Sequence, residues 1–444
     1  VEVTLPFYNN EPGMVPGLLF FSPLSLLHFP FSLTFASMQR NQATLDFVSS
    51  HRTEDVRQLA FLGNRFPEVD MPWALDQIGG WQRARRKLPS WAAREGIVYP
   101  PHLAMEQCSS EATARYKQQL AARLMGDEGN GTLVDITGGF GVDFSFMARA
   151  FAKAVYVERQ AHLCDIAESN FRLLGVGQAE VVNADGADYL DGTGRVNVIF
   201  ADPARRDRQG CRTFAIADCT PDVAALRPRL LEKADFVVVK LSPMLDWHKA
   251  VDDMGGWTTG GGSVAEVHIV SVANECKELL LVLCRDAEGR RPVVCCVNDG
   301  EAFAYGPGDE RKPVLPVGAG DVMPGNFLYE PNASLMKAGC FDEVAVRHGV
   351  RPVGRDAHLF VSPSLNERFP GRKFRIEALS SMNKTEVKRA LSGIGQANVA
   401  VRHFPMTAEA LRKRLKLKDG GDIYLFATTL GARDHTLIIC KKVP

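Results

Sequence analysis

Leu133-Val-Asp-Ile-Thr-Gly-Gly-Phe-Gly-Val-Asp143 decides how this chain is read. An apolar strand pattern runs into a turn with glycines at 138, 139 and 141, and a helical pattern opens near Val142. Glycine tolerates positive φ and lets a ligand approach the backbone closely. The free N–H groups of the first helical turn then face whatever sits there. The stretch reads as a nucleotide-binding turn. A tight turn in some other α/β fold would look the same in isolation, so its surroundings must choose.

Working outward, the pattern predicts strands at 133–136, 154–158, 179–182, 196–201, 235–241, 265–272 and 278–284. Helices fit at 144–151, 162–174, 186–190 and 221–232, the βαβ rhythm of a parallel sheet. Only residues 273–277 separate the last two strands. That is too short for a crossover helix, so they must pair as an antiparallel hairpin. Seven strands ending in such a hairpin resemble the class I S-adenosylmethionine-dependent methyltransferase fold, a Rossmann-like α/β sheet. A dinucleotide-binding fold would instead continue with parallel units.

That resemblance implies a role for each strand end. Asp135 closes the first strand, Gly139 and Gly141 line the cofactor, and Thr137 stands where the commonest family pattern has a glycine. Glu158 ends the second strand, where a carboxylate can accept both ribose hydroxyls; a surface charge at a strand end is the bland alternative. Asp185 resembles the acidic residue that takes the adenine amino group, with the N–H of Gly186 or Ala187 completing adenine recognition. It also suits a helix N-cap, and the two roles are compatible. Before the core, Gln107, Ser109 and Ser110 carry donors that could hold the cofactor's carboxylate, although a capping box explains the serines as well. Cys108 is no nucleophile on this reading. The family that uses one carries it after the fifth strand, where this chain has Lys240-Leu-Ser-Pro-Met.

Asp202-Pro203-Ala204-Arg205-Arg206 follows the fourth strand, on the side of an α/β sheet where ligands bind. It resembles the Asp/Asn-Pro-Pro-aromatic motif of methyltransferases that act on exocyclic amines. Asp202 and the Pro203 carbonyl would accept the amine's N–H bonds. Ala204 replaces the second proline and Arg205 the stacking aromatic. An arginine plane can stack on a base or grip a phosphate; an ion-paired loop is the alternative for Arg205 and Arg206.

The 444 residues, 45% hydrophobic, can bury a large core and divide into several domains. Lys plus Arg equals Asp plus Glu at 52 each, so any nucleic-acid signal must be local. Such a signal lies at 367–418, where 13 Lys or Arg meet 4 Glu. Ten scattered cysteines without a Cys-x-x-Cys pair favour reduced thiols in a cytoplasmic protein. No His or Cys spacing suggests a metal. Residues 15–36 are apolar but hold three prolines with no preceding Lys or Arg, which suits neither a signal peptide nor a spanning helix. The expected layout is a non-native or disordered extension over 1–37, with Met38 as the start, and a helical domain over 38–100 broken at Gly79-Gly80. A methyltransferase domain follows over 101–286, then α+β domains over 287–366 and 367–444. A basic segment from Trp81 to Lys87 reads as a solvated helix face before a nucleic-acid contact.

From Met38 onward the chain resembles one bacterial family: a helical N-terminal domain, a class I methyltransferase core, a ferredoxin-like domain and a terminal THUMP-like domain. The resemblance rests on Asp135-x-Thr-Gly-Gly-Phe-Gly141, Asp202-Pro-Ala-Arg-Arg206, Glu106-Gln-Cys-Ser-Ser110 and Tyr329-Glu-Pro-Asn332. It implies an S-adenosylmethionine-dependent RNA methyltransferase; the expectation is tRNA or rRNA as substrate, with an exocyclic amine of a purine base as the acceptor. Lys384, Lys388, Arg389, Arg412, Lys413, Arg414 and Lys416 would supply phosphate contacts, or merely solvate their helices. A small-molecule or protein methyltransferase and a non-catalytic, cofactor-sensing RNA-binding protein are the alternatives.

Overall fold

The computed structural model describes residues 41–126, 130–205, 216–256, 263–285, 291–306, 313–354, 356–430 and 434–443. The expectations for residues 1–37 and for Arg206 lie outside these. A compact unit begins at Gln42 and runs to the end of the chain.

Two sheets organise it. The first holds β1 (Thr132–Asp135), β2 (Lys153–Glu158), β3 (Ala179–Asn183), β4 (Val196–Ala201), β5 (Ala234–Leu241), β6 (Ser263–Val272), β7 (Glu275–Cys284), β8 (Val293–Asn298) and β9 (Glu301–Tyr305). Their order is β9-β8-β6-β7-β5-β4-β1-β2-β3. β1 pairs parallel with β2 and β4, β2 with β3 and β4 with β5, whereas β7 runs antiparallel between β5 and β6. Ala273 and Asn274 join β6 to β7, both at positive φ (52° and 59°). Two such residues match the natural twist of a hairpin.

The expected count of seven strands is corrected to nine among the described residues. β8 adds parallel to β6 and β9 pairs back on β8, so residues 293–305, which fall in the α+β domain expected over 287–366, extend this sheet. The physical reason is β6 itself, whose Val267 and Ile269 are fully buried and would otherwise sit on an open edge; Val294, Cys296, Phe303 and Tyr305 complete the same core.

Alternate residues of the strands face two layers of helix. Val134, Val155, Ile199 and Val237 pack with Leu230 and Leu231 of α10 (Val223–Lys233) and Trp247 and Val251 of α11 (Trp247–Asp253). On the opposite face Tyr156 meets Phe144 of α7 (Val142–Met147) and Phe171 of α8 (Ala161–Leu173), with ring centroids 4.9–5.5 Å apart. Burying each such ring contributes about 1.5–3 kcal/mol. This rigid trio lies directly beneath the glycine turn.

Ahead of the sheet come α1 (Gln42–His51), α2 (Val56–Ala60) and α3 (Met71–Lys87), packed on Phe47, Leu59, Ala74 and Ile78. Asp55 caps α2 by accepting from Arg57 N and Gln58 N. The break expected at Gly79-Gly80 does not occur. α3 runs through both glycines because Gly80 lies against Tyr99, where a Cβ would come within 2.4 Å of the tyrosine's own Cβ. Trp81 is held between the guanidinium groups of Arg52 and Arg85, 4.4 and 5.1 Å from its ring. It donates at 3.2 Å to Ala92 O, at the end of α4 (Pro89–Ala92).

The second sheet holds β10 (Phe327–Pro331), β11 (Arg351–Pro352), β12 (Phe360–Ser362), β13 (Gly371–Ser381), β14 (Asn398–Arg402), β15 (Ile423–Leu430) and β16 (Asp434–Lys442). Its order is β11-β12-β10-β13-β16-β15-β14. From residue 371 onward the order is strand, helix, strand, helix, strand, strand. Tyr329-Glu330-Pro331-Asn332 serves this sheet. Buried Glu330 holds Arg372 and Arg402, Tyr329 Oη accepts from Asn366 N at 2.8 Å, and Asn332 caps the next helix. Arg402 lies on β14, four strand spacings from β10, about 19 Å in a flat sheet. The pair therefore closes a strongly curled sheet.

Candidate active site

The carboxyl ends of β1, β2, β4 and β5 and the loop after β3 open on one cleft of about 850 Å³. It is lined by Asp135, Thr137, Gly139, Gly141, Glu158, Asp185, Gly186, Asp202, Pro203, Gln107 and Ser109, each singled out from sequence. Of Arg205 only the backbone is described; it pairs with Cys219 in a two-residue ladder.

The turn is built as its glycines require. Gly141 stands at φ +78° as the N-cap of α7, and a Cβ there would meet the Phe171 ring at 2.7 Å. Gly138 N donates to Val157 O (2.9 Å) and Tyr156 Oη to Gly139 O, tying the turn to β2. Thr137, unexplained from sequence, has a definite task. Its Oγ1 donates to Asp135 Oδ1 (3.2 Å) and accepts from the Asp202 N–H (2.6 Å), joining the ends of β1 and β4.

Glu158 is buried at the end of β2. Oε2 accepts from Gly139 N (2.9 Å) and Oε1 from Gln160 N (2.9 Å). Exposed Asp185 is the N-cap of α9 (Gly186–Gly192) and accepts from Ala187 N at 2.8 Å. The Ala187 N–H is thereby taken, which leaves the Gly186 N–H as the candidate donor of that loop.

The segment before the core divides its roles. Gln107, at the end of α5 (His102–Gln107), is exposed in the cleft. Ser110 caps α6 (Glu111–Met125), accepting from Thr113 N at 3.3 Å. Ser109 is buried. Its Oγ donates to Asp143 Oδ2 (2.7 Å) and accepts from Lys240 Nζ (3.1 Å). The expectation that Ser109 and Ser110 donate to a ligand is therefore corrected: both hydroxyls are committed within the protein. Cys108 Sγ donates to Met105 O (3.3 Å), and burial raises its pKa, which keeps it a thiol.

A charge network unassigned from sequence lies behind these residues. Lys240, at the end of β5, reaches Asp202 Oδ2 at 2.6 Å and Asp143 Oδ2 at 3.3 Å. Lys117 of α6 is fully buried, 2.5 and 2.6 Å from the Glu278 carboxylate and 3.2 Å from Asp143 Oδ1. Burial raises the Asp143 pKa, but Lys117 and Lys240 outweigh it and hold the carboxyl below its usual range. Burial likewise disfavours the Lys240 ammonium, yet Asp202, Asp143 and Glu278 keep its pKa well above normal. Among the described residues no cation pairs with Asp135. Burial, with Asp143 and Asp202 adding repulsion, pushes it up to about 8. One sequence signal was present: Lys117 follows Ala114 and precedes Ala121 on the buried stripe of α6, and a lysine at a core position demands a buried partner.

Comparison with known proteins agrees with this architecture. Residues 371–442 match the family model of a THUMP-like domain and residues 327–370 that of a ferredoxin-like domain. Two uncharacterized S-adenosylmethionine-dependent methyltransferases of Mycobacterium tuberculosis, from different strains, are each 24% identical over 370 residues, 81% of this chain and 93% of theirs. The chain is a relative of the S-adenosylmethionine-dependent methyltransferases. A crystal structure from Porphyromonas gingivalis W83, of a protein assigned to the methyltransferases, superposes with a TM-score of 0.77 at 28% identity, covering 90% of this chain and 98% of that one. Likeness to these methyltransferases thus extends across both sheets. Among the described residues no helix is long and apolar enough to cross a membrane, and no group of three or more His, Cys, Asp or Glu could hold a metal.

Proposed function

We propose that this protein is an S-adenosylmethionine-dependent RNA methyltransferase that modifies an exocyclic amine of a purine base. One juxtaposition supports the reading above all others: Asp202 and Pro203 line the same cleft as the glycine turn.

The residues suit the cofactor. A Cβ on Gly139 would meet nothing nearer than Thr137 O at 3.7 Å, so this side of the turn is open to a ligand. Glu158 would take the ribose hydroxyls through its remaining lone pairs, Asp185 and the Gly186 N–H the adenine, and Gln107 the methionine end. S-adenosylmethionine bound there supplies an electrophilic methyl group on a sulfonium centre.

An aryl amine is a weak nucleophile because its lone pair is delocalised. Asp202 and the Pro203 carbonyl would accept its two N–H bonds and favour the pyramidal nitrogen that attacks in line. The proton leaves after transfer, so Asp202 need not act as a strong base. RNA is the favoured substrate class because residues 371–442 match a THUMP-like domain and expose Lys384, Lys388, Arg389, Lys413, Arg414 and Lys416. Such charges bind phosphates without regard to sequence.

Mass spectrometry of nucleosides from total tRNA and rRNA of a strain lacking the gene tests this. One N-methylated purine nucleoside should disappear and return on complementation. A missing ribose-methylated nucleoside would move the acceptor to a hydroxyl. An unchanged nucleoside set would contradict the RNA reading and leave a small-molecule or protein substrate.

A further inference from the structure

We propose that Lys240 is a positioning residue for methyl transfer, acting through Asp202 and linking the acceptor site to the cofactor turn through Asp143. The inference rests on the reading of Asp202 as the acceptor-binding group.

β4 and β5 are parallel neighbours, with Ala201 paired to Val239, so Asp202 and Lys240 leave the sheet side by side at the same edge. An ammonium has three N–H donors. Those of Lys240 meet three acceptors: Asp202 Oδ2 (2.6 Å), Ser109 Oγ (3.1 Å) and Asp143 Oδ2 (3.3 Å). With all three engaged, Lys240 has none to offer a substrate without breaking one of these bonds. It is therefore a strut rather than a catalytic donor. The strut is anchored from behind, because the other oxygen of Asp143 is ion-paired at 3.2 Å with Lys117, which is itself hydrogen-bonded to Glu278.

Asp202 is the most exposed member of the network, its side chain 41% exposed against 12% for Lys240 and 9% for Asp143. Its backbone N–H is fixed by Thr137 and its Oδ2 by Lys240. Among the described residues no hydrogen bond reaches Oδ1, the oxygen left to receive an acceptor N–H. Without Lys240 a half-exposed carboxylate would rotate about its terminal torsion, which is broad and nearly two-fold. A misplacement of about 1 Å in a group that orients the reacting atom costs on the order of 10²-fold in rate. Asp143 opens the helix after the glycine turn, so a single ammonium sets the distance between the two halves of the reaction.

The test uses the full-length protein, labelled S-adenosylmethionine and total RNA from a strain lacking the gene. Lys240→Met should lower kcat by about 10- to 100-fold while the Kd of the cofactor, from calorimetry, and the KM for RNA change less than about threefold. Lys240→Arg should recover part of the loss. Asp202→Ala is measured alongside, and the double variant should be no slower than Asp202→Ala alone. Wild-type kcat in Lys240→Met, or multiplicative losses in the double variant, would overturn the positioning role while leaving Asp202 in place. Unimpaired transfer by Asp202→Ala would instead remove the reading on which the proposal rests. If Lys240→Met does not fold, Lys240→Gln takes its place, judged by the same outcomes.

Discussion

Thr137 does with one hydroxyl what a glycine in its place could not: it accepts the N–H of Asp202 and donates to Asp135. Thr137→Val keeps the shape and strands that N–H, at a cost of about 1–3 kcal/mol. Chemical denaturation should read this loss, and Thr137→Ser should restore most of it. Asp135 makes a second prediction. Its pKa is raised from 3.8 to about 8 by burial, so the folded protein holds a proton that the unfolded chain releases between those values. Stability from this group therefore falls as pH rises from about 4 to about 8 and levels off above. Cofactor-free Asp135→Asn should show a flatter melting profile across that window; an unchanged slope would mean that Asp135 ionises normally. Glu158 and Asp202 were legible as site residues because each ends a strand whose place in the sheet follows from the βαβ rhythm. Lys240 was not, since its meaning depends on Ser109, Asp143 and Asp202, which three other parts of the chain bring to it.

At the scale of elements, the seven strands of the β1–β7 sheet were readable because each is a short apolar run bounded by turn residues. The Ala273-Asn274 hairpin excluded a dinucleotide fold for the same reason. Two elements were misread from local pattern alone. Gly79-Gly80 looks like a break, but a glycine inside a helix can also mark a close approach, and only the tertiary fold brings Tyr99 there. Gly80→Ala should therefore destabilise by about 1–3 kcal/mol through overpacking, against the gain of about 1 kcal/mol expected from helix propensity alone. A rise in melting temperature would contradict the contact. Residues 293–305 were expected in the domain over 287–366 because hydrophobic alternation shows that a strand is half-buried but not which edge it joins.

For the molecule as a whole, the chain is neutral, yet its terminal domain concentrates positive charge. The structure thins that patch: Arg372 and Arg402 are bound to Glu330, Arg412 to Asp419 and Lys413 to Glu409. Lys384, Lys388 and Arg389 are exposed, on or beside one short helix. Replacing Lys388 and Arg389 by Gln should weaken binding to bulk RNA and flatten the dependence of log affinity on log salt by about 0.7–0.9 for each phosphate no longer neutralised. Unchanged affinity and slope would mean that these charges only solvate their helix. The reach of the first sheet beyond residue 286 was not legible, because the β8–β9 hairpin joins it only in three dimensions.

Asp202→Ala separates acceptor orientation from cofactor binding, with cofactor affinity from calorimetry and methyl transfer from labelled S-adenosylmethionine into total RNA measured on one preparation. If Asp202 orients the acceptor amine, cofactor binding is retained and transfer falls at least about 100-fold, the scale on which loss of an orienting group acts. Transfer at the wild-type rate would show that Asp202 has no part in orienting the acceptor.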